Sequence, residues 1–272
     1  MRPTAKEEHA AWEARLGQFA DDASQWQKTM SGEPAKTQPG SDLAGDDAGF
    51  ASLNVSSLVG YSLATATEHL DFTLAVMKQT STLYPTAYLT VLRTALLTAS
   101  HAAWILAPAE RAERQANALE LLADDIRTEL AMVKAAITTT DSARSAKEKM
   151  IETLVARQAE LQPIADILKP GLQIPKCRIN NTNIIESVAQ STHDKKLVVG
   201  GVNMVWRNGS AAAHGARSFA IMRLHQNEIV EGESGTKYSK LQGDLVNDVG
   251  PAAAAATLAL SFAFTMHDIR RK

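Results

Sequence analysis

Arg207 and His214 are the residues whose types and spacing point most directly to chemistry. They lie in Trp206-Arg207-Asn208-Gly209-Ser210-Ala211-Ala212-Ala213-His214-Gly215, a helix-length stretch otherwise made of small residues. At about 100° per residue, seven steps fall roughly 20° short of two turns, so a helix carries both side chains on one face about 10 Å apart. Arg207 supplies a permanent planar cation, and His214 a group that gains or loses a proton near neutrality. Three alanines and Ser210 leave room for something to approach. Gly209 is the exception in this stretch. It costs about 1 kcal/mol relative to alanine in a helix interior, which predicts a bend there.

The same residues also have a purely architectural reading. Arg207 can pair with a carboxylate from a neighbouring helix, such as Glu68, Asp71 or Glu120. His214 can bond the last carbonyls of its helix, with Gly215 as a left-handed cap. Other candidates are fewer. Arg93 and His101 are eight apart, about 80° from alignment, a spacing that suits separate buried hydrogen bonds. Arg93 can still approach the motif helix as a second cation. Glu68-His69 with Asp71 has no second His or Cys cluster to complete a metal site, so none is expected. Lys195-Lys196, Arg217 and Arg223 flank the motif and can form a modest phosphate-binding patch. No phosphate loop, dinucleotide fingerprint, zinc spacing or nucleophile elbow is present.

Composition narrows the class. The 272 residues are 45% hydrophobic and 21% charged, ordinary for a soluble globular protein. A net charge of −2 gives no global pull toward nucleic acid, so any RNA contact needs a local basic patch. The one cysteine, Cys177, excludes an internal disulfide and fits a reducing cytosol. Residues 1–20 are charged and amphipathic, without the apolar core of a secretory signal. The longest uncharged run, Val249 to Met266, spans 18 residues but is alanine-rich, which favours a buried or subunit-packing helix over a membrane span. The expectation is a cytoplasmic protein with no membrane attachment.

The elements that must position the motif are helical, because aromatics are only 5% while alanine, leucine and threonine dominate. An amphipathic helix is expected over residues 1–30, followed by a Gly/Pro/Ser/Asp-rich flexible linker over 31–51. The main domain, 52–272, opens with a helix capped by Ser56 or Ser57 and running to about Ser81. Thr86 caps a largely apolar helix that Pro108 ends. A third helix to about Ile137 and a charged one capped by Asp141, from about Ser142 to Leu168, suggest a long antiparallel hairpin, with 138–178 an insertion and connector. Asn183 and Glu186 have capping-box spacing before a short helix, and the motif helix runs from Asp194 to His214. After Gly215 the pattern changes to period two, with Phe219, Ile221 and Met222 before Leu224, and a turn near Glu231 to Gly235 leads into Thr236 to Leu241, which suggests a small β-hairpin or an irregular loop near the C-terminus. An apolar helix from Asp248 to Ile269 closes the chain. The fold class is all-α.

Arg207-Asn208 followed by His214 resembles the R-x4–6-H signature of the HEPN superfamily of all-helical domains. The upstream helix Arg93-Thr94-Ala95-Leu96-Leu97 to Trp104-Ile105-Leu106, with Pro108 and Arg111 to Arg114, is similar to an uncharacterised bacterial HEPN-like group. The resemblance covers about Val55 to Met266. It implies a HEPN-like bundle and metal-independent RNA cleavage without a cofactor, as in toxins and defence effectors. His214 would then move the proton of the 2′-hydroxyl attack, Arg207 would hold the scissile phosphate, and Asn208 would orient one of them. Ser210, Arg93, Lys196 and Arg217 are the further substrate-binding candidates. The resemblance also implies a homodimer and a partner such as an antitoxin or regulatory protein. The other reading it allows is a non-catalytic interaction or nucleotide-binding module.

Overall fold

Thr4 starts the first helix in the manner of a capping box: its hydroxyl accepts from the Glu7 N–H, and the Glu7 carboxylate accepts from the Thr4 N–H at 2.7 Å. The computed structural model describes residues 4–32, 37–223, 230–235, 237–238 and 243–272, and it is all-α. Among these residues the helices are α1 (Ala5–Ser31), α2 (Asp42–Gly49), α3 (Val55–Thr80), α4 (Ala87–Leu106) and α5 (Arg111–Ala135). They continue with α6 (Asp141–Leu168), α7 (Asn181–Thr192), α8 (Lys196–Ala213), α9 (Arg217–Met222) and α10 (Gly250–Arg271). The chain divides into two compact units.

The first unit holds Met1–Ala35, Ser62–Ser100 and Thr182–Ala263. Within it α1 is docked rather than loose. Its Trp12 ring lies against Gly250, where a Cβ would come within 2.7 Å of the indole. Alanines 252, 253, 255, 256 and 259 of α10 are buried, so small side chains let neighbouring helices approach closely. Phe219 to Met222, where alternation suggested a strand, is helix α9 instead, with Phe219 buried beneath it. A short segment can satisfy either period, and packing of one aromatic decides. Val230–Glu231 and Lys237–Tyr238 pair antiparallel over two residues. The rest of the 236–241 stretch and Leu224 lie outside the described residues.

The second unit holds Lys36–Tyr61, His101–Asn181 and Phe264–Lys272. Here α5 and α6 form an antiparallel pair closed at its tip by Lys147, whose Nζ donates to the Lys134 and Ala136 carbonyls at 2.7 Å each. Cys177 is buried next to them, and burial raises its thiol pKa above the usual range. The expected flexible linker is corrected by α2, a helix inside 31–51. Ser41 caps it, Leu43 and Asp46 are buried, and Asp47 in turn accepts from the Ser56 N–H at 3.0 Å, capping α3. Arg114 is 1% exposed and fully satisfied. Its Nε and Nη2 donate to the two Asp46 oxygens at 2.7 and 2.9 Å, and its Nη1 donates to the carbonyls of Pro108 and Ala109. A helix too short to stand alone is held by this pair.

Two segments, Ala87–Leu106 and Leu245–Arg271, are long and apolar enough to cross a membrane, and 56% of the apolar window of each is buried within the fold. The core helix of a soluble protein meets the same description.

Candidate functional site

The motif occupies the second half of α8, and Gly209 explains how it is positioned. A Cβ there would sit 2.7 Å from Arg93 Cβ and 3.0 Å from the Leu89 carbonyl oxygen. The missing side chain lets α8 lie directly on α4, and the helix runs without interruption through this point. Trp206 and Ser210 flank the glycine on the same side. Arg93 stacks its guanidinium 4.1 Å from the centre of the Trp206 ring, and its Nε donates to Ser210 Oγ at 2.8 Å. Ser210 Oγ donates onward to the Trp206 carbonyl, and Trp206 Nε1 donates to Thr182 Oγ1, both at 3.0 Å. Burial lowers the Arg93 pKa, though a stacked and hydrogen-bonded guanidinium stays charged at neutral pH.

Trp206, Gly209 and Ala212 are the buried side of α8. Arg207 and His214 project from the opposite side and are exposed, with Asn208 half-buried between the two faces. Among the described residues Arg207 makes no ion pair, so the pairing considered with Glu68, Asp71 or Glu120 does not form. Glu120 is paired with Lys169 instead. The helix end is closed by backbone alone. Gly215 is left-handed at φ 61°, its N–H reaches the Ala212 carbonyl at 3.1 Å, and the Ala216 N–H reaches that of Ala211 at 2.9 Å. The His214 N–H bonds the Ser210 carbonyl, while its imidazole makes no hydrogen bond among the described residues. What this surface offers is a guanidinium without a carboxylate and an imidazole without a structural partner, both open to solvent.

The other sequence candidates separate cleanly. Lys196 is exposed and lines a cavity where α7 meets α8. Arg217 is exposed at the start of α9. Arg223 is not available to a phosphate: it is 12% exposed, donates to the Pro85 carbonyl at 2.6 Å and pairs with Asp248. His101 Nε2 lies 2.9 Å from Asn181 Oδ1, and burial pushes this histidine below its ordinary pKa, with the Asn181 bond and Asp124 pulling the other way. His69 bonds the Thr65 carbonyl of its own helix, and no three His, Cys, Asp or Glu side chains converge as a metal would require, among the described residues.

Sequence reasoning passed over Asn203, four residues before Arg207 on the same face of α8, and His193 and Asp194 at the α7–α8 joint. The i, i+4 spacing from Arg207 was the signal available for Asn203. Comparison of the chain with protein-family models, with curated proteins and with solved structures finds no match.

Proposed function

We propose that this chain is a HEPN-like helical endoribonuclease, a toxin or defence effector acting in the cytoplasm as a homodimer. The observation that carries the reading is the solvent-open pair Arg207 and His214, free of structural partners among the described residues on the outer face of α8. A residue kept only for architecture would be expected to bond something, as Arg114 and Arg223 do. In the proposed reaction the RNA 2′-hydroxyl attacks the adjacent phosphorus and the bond to the 5′-oxygen breaks, leaving a cyclic phosphate. His214 takes or supplies the proton in transit, Arg207 neutralises charge developing on the phosphoryl oxygens, and Asn208 orients the phosphate. No metal or cofactor is invoked, and DNA, lacking the 2′-hydroxyl, is spared. Arg93 and Ser210 act indirectly, by fixing α8 on α4, with Lys196 and Arg217 as outlying phosphate contacts.

Induced expression of the wild type in a bacterial host tests this: growth arrests, and His214→Ala relieves the arrest. Equal growth of both strains would remove the toxin reading. A second reading is favoured by a different observation: Leu197 and Met204 on α8 are 92% and 64% exposed, apolar area suited to a protein partner such as an antitoxin. A non-catalytic interaction module would retain partner binding in the His214→Ala variant and show no cleavage in either form.

A further inference from the structure

α1 is held to its unit by less than its length suggests. It buries one of its 27 residues, Ala23, whereas α10, whose first residue it meets, buries nine of 22. Trp12, Leu16, Phe19, Trp26 and Met30 form its inward stripe at helical spacing, and each is only half-buried. The ion pair that α1 makes among the described residues, His9 with Glu13 at 3.6 Å, lies within the helix and ties it to nothing else. The clearest anchor is the Trp12 ring seated on Gly250.

Beside that anchor the packing is incomplete. A groove of about 700 Å³ runs between α1 and the end of α3, walled by Leu16, Gly17 and Ala20 on one side and by Leu74, Met77 and Leu245 on the other. Protein interiors leave few voids larger than a water molecule, so a helix set beside a space of this size forfeits contacts that would hold it. The start of α1 is also self-contained, because Thr4 and Glu7 cap each other. That half can lift without giving up hydrogen bonds of its own ladder. Leu74 and Leu245, now 4% and 5% exposed, are the apolar surface it leaves behind.

We propose that α1 is a detachable arm. It leaves the groove as a unit, by an opening whose free energy lies well below that of global unfolding. Two apolar faces, Trp12 and Phe19 on the arm and Leu74 and Leu245 on the body, are thereby hidden together and presented together. This inference does not rest on the ribonuclease reading.

Hydrogen exchange of the full chain in low urea, read by mass spectrometry, tests it. The amides of α1 are expected to share one opening, at least about 100-fold more frequent than that of α10. Its urea dependence should be above zero, because surface is exposed, and below that of α10, whereas fraying would show none. Trp12→Ala should speed α1 exchange about tenfold, and Ala20→Leu, which fills the groove, should slow it several-fold, both leaving α10 unchanged. Alanine is the better helix former in each comparison, so intrinsic helicity works against both changes and docking alone accounts for them. Exchange of α1 as slow as that of α10, at the rate of an unprotected peptide, or independent of urea would overturn the proposal. Insensitivity of α1 to both substitutions would overturn it too. The comparison of α1 with α10 in the wild type decides even where a variant fails to fold.

Discussion

Two arginines, Arg114 on α5 and Arg207 on α8, show what burial does to a cation. Arg114 is sealed inside its unit, its guanidinium donating to both Asp46 oxygens and two backbone carbonyls. Arg207 stands on the surface with none of these partners among the described residues. The first must be paired because an uncompensated buried charge costs several kcal/mol. The second has no such requirement, and its charge remains available to a ligand. Arg93 is intermediate: stacked on Trp206 and bonded to Ser210, it holds the helix that presents Arg207. One residue type thus serves as an internal tie, a brace and an open binding group.

The largest effect expected from breaking this comparison is at the buried pair. Asp46→Ala removes the carboxylate that faces buried Arg114, leaving it the Pro108 and Ala109 carbonyls and the more distant Asp42, and should cost about 3–5 kcal/mol in urea unfolding. A loss under 1 kcal/mol would mean that α2 is not the tie described. Arg93→Met removes one stacked cation and one hydrogen bond, and should cost about 1–2 kcal/mol. Gly209→Ala forces α8 away from Arg93 and Leu89. Overpacking of this kind costs about 1–3 kcal/mol, opposed by about 1 kcal/mol of better helix propensity, so a net loss near 1 kcal/mol is expected. A more stable Gly209→Ala protein would contradict the close approach.

Acidification gives a subtler effect. Burial lowers the folded pKa of His101 and, in the same unit, of His267, where Arg271 adds to the shift. The unfolded chain, with histidines near about 6.5, therefore binds more protons than the folded one just below that pH. The stabilisation is present above about pH 6.5 and is lost as pH falls from there toward the depressed folded values. Asp125, pushed up to about 6 by burial, acts in the opposite sense over the same range, so the difference between wild type and His101→Gln in the shift of unfolding midpoint from pH 7.5 to 5 measures the histidine contribution. The smallest stability effect belongs to Arg207→Ala and His214→Ala, each within about 0.5 kcal/mol of wild type because neither side chain is tied to the fold.

The helices were largely legible because their signals are local. Thr4 with Glu7 marks the start of α1, Pro108 the end of α4, and Gly215 the end of α8, all written in residues next to the boundary. Thr140 rather than Asp141 caps α6, and α7 begins at Asn181, two residues before the expected Asn183, shifts of the size that frayed helix ends produce. What was not legible depends on distant partners. The composition of α2 reads as linker, and it is helical because Asp46 meets Arg114, 68 residues away. Gly209 reads as a weakness until Arg93 and Leu89 are seen against it. The spacing of Arg207 and His214 was visible as a pattern, but their shared exposure and lack of partners belong to tertiary structure.

The most direct test is incubation of the purified full chain with RNA under metal chelation, beside His214→Ala, with thermal melts of both proteins. The account predicts cleavage by the wild type, a loss of about 10²-fold or more in the variant, and superimposable melts. Intact RNA with the wild type, or equal cleavage by the two proteins, would contradict it.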